Sequence, residues 1–190
     1  MIATPDPPRM TAADYLDWEP QQEIRYEFVN GRVIAMTGGT IPHNDLALNL
    51  YSFLRPKIKK QGCRLNVADV KVQIADDYRY PDVVVSCDKR DSKAVELYRY
   101  PSLIVEVLSP GTAAVDRGEK FNQYRSLETL QEYVLIDSEK MGVEIYRRGE
   151  GRMWLYYPYV LGDTVRFDSL GIECPIETIY EDVQLGITDR

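Results

Sequence analysis

Two carboxylates in this sequence stand where apolar residues would be expected, and together they could bind a metal ion. Glu106 lies within the apolar run SLIVEVLSP, at residues 102–110, which has the length and β-branched character of a strand buried on both faces. Asp82 directly precedes the apolar run VVV in YRYPDVVVSCD. Because an unpaired charge is costly to bury, each acid should be protonated, paired with a cation or bound to a metal.

The positions of these acids in their strands would bring them together. If the strands at 82–87 and 103–108 lie side by side and antiparallel, the start of one lies beside the end of the other. Asp82 and Glu106 would then share a proton or be bridged by a divalent cation. Carboxylate oxygens suit Mg²⁺ or Mn²⁺, so we predict a magnesium or manganese site that could promote attack of water on a phosphodiester.

A phosphodiesterase site of this kind also needs a cation beside the attacked phosphate. Our candidate is Lys120, which lies in the first turns of the helix after the Glu106 strand and could reach back over the strand end. On spacing alone, Lys120 could instead be a solvated helix lysine or the partner of Asp116, four residues earlier. Lys71 is the fallback lysine if Lys120 is too distant.

The elements that would position these residues form a mixed α/β pattern. The pattern predicts a hairpin around Asn30-Gly31, a helix over 42–61, strands at 67–74, 82–87 and 103–108, a second helix and a strand at 132–137. Asp116 and Glu119 have the spacing of an N-cap and its partner, which predicts that the second helix begins there. The later segments VEIYRR, RMWLYYPYV and TVRFDS predict an antiparallel extension.

The bulk composition predicts one globular domain. Of 190 residues, 44% are hydrophobic and 28% charged, and the net charge of −7 argues against coating nucleic acid by bulk electrostatics. Residues 1–10 are expected to be loosely ordered, which leaves 11–190 as the domain. We find no apolar run typical of a membrane span or signal peptide and expect a cytoplasmic protein. The three separated cysteines predict free buried thiols.

Six motifs occur in order along the chain: RYEFVNGRVIAM, PDVVV, LIVEVLSPGT, DRGEKFNQY, EYVLID and VEIYR. Together they resemble the Uma-two family of endonuclease-like proteins in the PD-(D/E)XK nuclease superfamily, and the resemblance extends over roughly residues 11–180. It implies a restriction-endonuclease-like core, in which helices flank a central mixed sheet, with an N-terminal β-hairpin and a C-terminal antiparallel extension. It also implies a metal-dependent endonuclease that acts on DNA.

The resemblance assigns roles to the residues already singled out. It implies that Asp82 and Glu106 bind the metal and that the Val107 carbonyl is a further ligand. The superfamily usually carries its lysine two residues after the second acid, where this sequence has Leu108. In the Uma-two family that lysine lies on the next helix, which points to Lys120.

The same resemblance brings two earlier residues into the site. Glu27 is implied as a third acid, although strand alternation alone could equally make it a solvated residue. His43, the only histidine, matches the N-terminal pattern and could contact phosphate or relay a proton, although a lone histidine near a helix start is often structural. Gln123 and Tyr124 lie one turn beyond Lys120 and could line the cleft, unless Tyr124 packs inward.

The leading hypothesis is therefore a magnesium-dependent DNA endonuclease, and two others stay open. A non-catalytic interaction module, expected to be a homodimer, would retain the fold and use the acids structurally, with Glu106 protonated or paired with an arginine. A metal-independent acid/base hydrolase would use the carboxylate pair as glycosidases do.

Overall fold

The protein combines mixed β-sheets with a few helices, and we describe residues 10–36 and 38–186 from a computed structural model. The helices are α1 (Ala12–Trp18), α2 (Ile41–Ile58), α3 (Ala113–Val115), α4 (Phe121–Tyr124) and α5 (Ile176–Ile179), with a π-helical segment, Asp116–Lys120, between α3 and α4. The strands are β1 (Tyr26–Val29), β2 (Arg32–Ala35), β3 (Arg64–Val67), β4 (Lys71–Ile74), β5 (Asp77–Arg79), β6 (Val83–Ser86), β7 (Leu97–Tyr98), β8 (Leu103–Leu108), β9 (Glu132–Asp137), β10 (Gly142–Arg148), β11 (Trp154–Val160), β12 (Thr164–Phe167) and β13 (Ile172–Pro175). The sequence predicts loose order for residues 1–10, and residues 1–9 of that segment lie outside the described ranges.

A six-stranded mixed sheet is the centre of the fold. Its order is β11-β10-β9-β8-β6-β3, in which β8 and β9 are parallel and the other neighbours are antiparallel. A five-stranded sheet has the order β2-β1-β5-β4-β7, and β12 pairs with β13. The predicted N-terminal hairpin is β1 and β2, joined by Asn30 and Gly31 at φ of 50° and 77°. The predicted C-terminal extension corresponds to β10 and β11, which pair antiparallel in the six-stranded sheet, and to β12, which pairs antiparallel with β13.

Both faces of the six-stranded sheet are buried at β6, β8 and β9, which accounts for the apolar runs in β6 and β8. One face packs on α2 in a cluster that includes Val105 and Leu50. The other face packs on α4 in a cluster that includes Ile104 and Tyr124. Because side chains alternate along a strand, Glu106 points to the same face as Ile104 and is surrounded by this second cluster.

The predicted helix over 42–61 is confirmed. Thr40 caps α2, since its Oγ1 accepts a hydrogen bond from the His43 amide at 3.4 Å. A short 3-10 turn over 59–61 continues the helix to Gly62, whose φ of 75° ends it. Among the described residues, neither α2 nor any other helix is long and apolar enough to cross a membrane.

The single strand predicted at 67–74 is wrong. The chain forms β3 and β4 there, and these strands belong to different sheets. Ala68 and Asp69 separate them, each at a φ of 50°. Alanine and aspartate predict a positive φ less strongly than glycine does. The sequence therefore gives no sign that the strand is interrupted here.

The helix start predicted at Asp116 is also wrong. Helical structure begins at Ala113, and Asp116 has helical angles, φ of −64° and ψ of −44°. An N-cap residue has non-helical angles, so Asp116 cannot act as one. Its side chain is instead buried within the π-helical segment.

The cysteine prediction is wrong for two of the three residues. Cys63 and Cys87 form a disulfide, whereas Cys174 is free and buried as predicted. The bonded cysteines flank the pair Arg64 and Ser86 in the antiparallel register of β3 and β6, which places them opposite each other. Their separation of 24 residues in the sequence gave no sign of this pairing.

Candidate functional site

Asp82 and Glu106 occupy facing positions on adjacent strands. Val83 of β6 pairs with Val105 of β8 in an antiparallel register, so the residue before Val83 faces the residue after Val105. The Val107 amide donates a hydrogen bond to Oδ2 of Asp82 at 2.7 Å, which fixes that carboxylate beside β8. The predicted adjacency of the two strand ends is therefore confirmed.

Glu106 is a buried carboxylate with two side-chain partners. Its exposed fraction is 3%, yet it lies on the wall of a cleft of about 780 Å³. The Tyr124 hydroxyl donates to Oε1 at 3.0 Å, and Nζ of Lys120 lies 3.0 Å from Oε2. Tyr124 thus packs inward and contacts the acid from the side away from the cleft.

Lys120 is shared between two acids. Its Nζ lies 2.9 Å from Oδ1 of Asp116 as well as 3.0 Å from Oε2 of Glu106. Asp116 and Lys120 are the first and last residues of the π-helical segment, and both side chains point into the fold. The solvated-lysine interpretation is wrong, because the side chain is 13% exposed. The other two interpretations are both correct, because Lys120 is the partner of Asp116 and also reaches back to Glu106.

The surroundings of Glu106 disfavour the charged form of its carboxylate. Burial raises the pKa of Glu106 to about 8, because the opposing effect of Lys120 is outweighed by burial and by the carboxylates of Asp82, Asp116 and Glu27. Oδ1 of Asp116 is buried with no hydrogen bond of good geometry, although Nζ of Lys120 lies 2.9 Å away. Lys120 is therefore the shared cation of Glu106 and Asp116, and a divalent cation could replace the proton that Glu106 holds.

Lys120 itself is held in its charged form. Burial acts to lower the pKa of Lys120, but the carboxylates of Glu106, Glu27 and Asp116 outweigh it and raise the pKa well above its usual value. A protonated amine is thus fixed on the cleft wall at neutral pH. The fallback candidate Lys71 lies elsewhere, with Nζ 2.9 Å from Oε2 of Glu19, and does not line the cleft.

His43 lies in the cleft against Asp82. Its Nε2 is 3.3 Å from Oδ2 of Asp82, which raises the pKa of His43 against the opposing effect of burial; the Val107 carbonyl and Asp116 act in the same direction as Asp82. Gly39 packs under the ring, since a Cβ at that position would lie 2.9 Å from Nδ1 of His43. The first turn of α2 therefore brings this histidine to the start of β6.

Glu27 reaches the cleft but both of its oxygens are bound. Arg79 donates to Oε2 at 2.6 Å, and the Tyr80 amide donates to Oε1 at 3.1 Å. With an exposed fraction of 6%, Glu27 is not the solvated strand residue that alternation allowed. These bonds favour a supporting function, in which Glu27 adds negative potential near Glu106 and Lys120.

Arg79 was not singled out in the sequence. It ends β5 and is 2% exposed, with its guanidinium bound to Glu27, Glu119 and Gln123. Gln123 was expected to line the cleft, but it lies behind Arg79 and donates to Asp77 at 2.8 Å. The one available signal was position: an arginine in the motif RYPD, three residues before the metal-binding candidate.

The donor atoms at the cleft suit a hard divalent cation. Among residues 10–36 and 38–186, no group of three or more His, Cys, Asp or Glu side chains is arranged to hold a metal. A site of two carboxylates does not need one, because Mg²⁺ keeps several waters and is often bound through one or two carboxylates. Asp82, Glu106 and the Val107 carbonyl fit that ligand chemistry, with the metal ion in place of the proton that the raised pKa of Glu106 indicates.

Comparisons with known proteins agree on a family and a fold. The Uma2 family, described as "Putative restriction endonuclease", matches residues 12–177. The uncharacterized protein slr1290 of Synechocystis is 34% identical over 175 residues, which cover 91% of this chain and 92% of that protein. The uncharacterized protein sll1609 of the same organism is 38% identical over 150 residues, covering 77% and 85%. A solved structure from Anabaena variabilis, described as a "putative nuclease belonging to DUF820", has a TM-score of 0.73 at 18% identity and covers 90% of this chain and 97% of that chain.

Proposed function

The chain belongs to the Uma2 family of restriction-endonuclease-like proteins, and from this premise we propose that it is a metal-dependent endonuclease that hydrolyses phosphodiester bonds in DNA. One observation carries the proposal. Asp82 and Glu106 face each other on the wall of a cleft, and the lysine that pairs with Glu106 is shared with Asp116.

The proposed cofactor is Mg²⁺, with Mn²⁺ as the alternative. Asp82 and Glu106 would hold it through carboxylate oxygens, and the Val107 carbonyl would be a further ligand. When bound, the cation would lower the pKa of a water molecule and neutralise charge on the phosphate. The buried Glu106 would give up its proton to bind, since ligating carboxylates are ionised.

The residues of the chain itself divide the remaining tasks. Lys120 is fixed in its charged form on the cleft wall, where it would stabilise negative charge that develops on the phosphate. His43, with its raised pKa, would orient Asp82 and could hold a proton for the leaving oxygen. Glu27 and Arg79 form an ion pair on the cleft wall and would set the potential around these groups.

The proposed substrate, cellular location and oligomeric state are those that the sequence predicts. DNA is the proposed substrate, and a cytoplasmic location and a homodimer are part of the proposal. The support for a dimer is β11, an edge strand of the six-stranded sheet that exposes apolar side chains. They are Leu155, Tyr156, Tyr157 and Val160.

A non-catalytic interaction module is the second candidate, and the pairing of Glu106 favours it. The ion pair with Lys120 and the pKa of about 8 are also what a purely structural acid would have. The two candidates differ in one consequence. A structural acid keeps its proton or its lysine, whereas a metal ligand exchanges the proton for a cation.

Metal titration followed by cleavage separates the candidates. Calorimetric titration of Mg²⁺ and Mn²⁺ should give millimolar or tighter binding to the wild type and much weaker binding to Asp82→Ala and Glu106→Ala. The exposed acid Glu173 lies away from the cleft, so Glu173→Ala is the matched control for lost charge. Plasmid and oligonucleotide cleavage should then require the metal, both acids and Lys120. Absence of divalent-ion binding by the wild type would reject the nuclease proposal.

A further inference from the structure

Arg79 presents a buried guanidinium to the cleft with one removable partner. Its donors are divided among Glu27 at 2.6 Å, Gln123 at 2.7 and 2.9 Å, and Glu119 at 2.7 Å. Glu27 and Gln123 are fixed by other bonds, to the Tyr80 amide and to Asp77. Glu119 differs from both, because its side chain is 53% exposed and lies on the cleft wall.

The Glu119 contact contributes little to holding Arg79 in place. Ion pairs with an exposed partner are weak, since the carboxylate loses little by returning to water. The charge of Arg79 is already compensated by Glu27, whose side chain is 8% exposed and bound at 2.6 Å. Glu119 can therefore leave the guanidinium without leaving a buried charge unpaired.

A guanidinium that holds a carboxylate oxygen can hold a phosphate oxygen in the same way. Glu119 accepts one hydrogen bond from Nη2 of Arg79, which a phosphate oxygen could accept instead, and the guanidinium stays charged at any pH relevant to proteins. Glu119 directly precedes Lys120 in the chain, and both side chains line the cleft.

We infer that Glu119 occupies a phosphate-binding position on Arg79 and is displaced when an anion enters the cleft. The anion would be a phosphate group, and its identity as a backbone phosphate of DNA rests on the proposed function. Under this inference Arg79 is a binding residue for a phosphate beside the one attacked, and Glu119 is a competing anion built into the chain.

The alternative is that Arg79 is only a structural tie between β5 and the segment 116–124. In that case Glu119 adds to the tie, and its removal would loosen the segment without creating an affinity for anions. The two possibilities differ in what inorganic pyrophosphate does to the protein when no metal and no DNA are present.

The test is titration of the full chain with inorganic pyrophosphate, observed at the Nε–Hε resonances of arginines labelled with ¹⁵N. Glu119→Ala should bind pyrophosphate at least fivefold more tightly than the wild type, with the Arg79 resonance shifting. Glu173→Ala removes the same charge away from the cleft and should bind as the wild type does. Equal affinities in the two variants, or shifts that bypass Arg79, would overturn the inference. Because Glu119 is exposed, this variant should fold normally, which its amide spectrum checks.

A DNA experiment keeps this inference distinct from the proposed function. With metal present, Glu119→Ala should bind an oligonucleotide more tightly than Glu173→Ala does and depend more steeply on salt, as expected for one more phosphate contact. Metal-dependent cleavage that Glu119→Ala does not affect would support the nuclease proposal and reject the displacement of Glu119. Pyrophosphate binding at Arg79 in a protein that cuts no DNA would support the displacement of Glu119 and reject the nuclease proposal.

Discussion

Nζ of Lys120 lies 3.0 Å from Oε2 of Glu106, so the one buried acid of strand β8 is joined to the helical segment that follows it. The ammonium also lies 2.9 Å from Asp116, which leaves neither carboxylate with a cation of its own. A site in this state is stable enough to fold and still attracts positive charge. That combination suits a site that binds and releases a metal ion.

Lys120→Met should abolish most cleavage while retaining metal binding. The variant keeps the length of the side chain and loses its charge, so we expect a fall of about a hundredfold or more in single-turnover cleavage. Removing one member of a buried ion pair should also cost up to about 3 kcal/mol of unfolding free energy at pH 9, and less at pH 6, where Glu106 can take up a proton. Urea unfolding at both pH values measures this difference.

Two variants control the lysine experiment. Lys60→Met removes an exposed lysine outside the cleft and should change neither cleavage nor stability. Combining Lys120→Met with Glu106→Gln removes both charges and should recover part of the lost stability. Full cleavage by Lys120→Met would show that this amine does not stabilise the reacting phosphate.

Stability without metal should fall as pH rises through the range in which Glu106 ionises. The pKa of Glu106 is raised from its usual 4.5 to about 8, so the folded protein holds a proton that the unfolded chain releases. This contribution is complete below about 4.5 and is lost progressively up to about 8. Urea unfolding across this range should show the fall in wild type and a flatter profile in Glu106→Gln.

Magnesium affinity should rise over the same pH range. Binding at Glu106 displaces its proton, so the apparent affinity should increase by up to about tenfold per pH unit below the pKa and level off above about 8. Calorimetry in buffers of different ionisation enthalpy would report the released proton directly. An affinity that does not change between pH 6 and pH 8 would mean that Glu106 is not a ligand.

The facing positions of Asp82 and Glu106 could be predicted because they depend on two strong strand patterns and one antiparallel pairing. Lys120 needed more, since its spacing also suited a surface lysine and only the family resemblance selected it. The π-helical segment that turns Asp116 and Lys120 inward together left no pattern in the sequence. A π-turn inserts one residue, and apolar periodicity does not locate it.

Arg79 escaped prediction for a different reason. Glu27 comes from β1, which the five-stranded sheet places beside β5, whereas Glu119 and Gln123 come from the helical segment some 40 residues later. That sheet depends on the turn at Ala68 and Asp69, where positive φ occurs without glycine. The disulfide could not be predicted for the same reason, because Cys63 and Cys87 are brought together only by the pairing of β3 with β6.

Loss of the disulfide should lower stability without removing the site. Cys63 and Cys87 close a loop with a sequence separation of 24, for which chain entropy predicts about 3.5 kcal/mol of unfolding free energy. The paired variant Cys63→Ala and Cys87→Ala should lose this amount in urea unfolding and still bind Mg²⁺. Reducing agent should destabilise the wild type equally and leave the paired variant unchanged. If reductant has no effect on the wild type, the two thiols are not bonded in the isolated protein.

Gly39→Ala should separate His43 from Asp82, and the single histidine makes the result direct to observe. The added Cβ would lie 2.9 Å from Nδ1, closer than such atoms pack, so the ring must move away from its contact with Asp82. Since that contact is the largest cause of the raised pKa of His43, the pKa should fall towards 6.5. Proton NMR titration of the His43 ring measures this pKa.

Gly38→Ala is the matched control, because a Cβ there meets nothing within 4 Å and should leave the pKa of His43 raised. If the two variants titrate alike, Gly39 does not set the position of the histidine, and any loss of cleavage in Gly39→Ala must come from the loop itself.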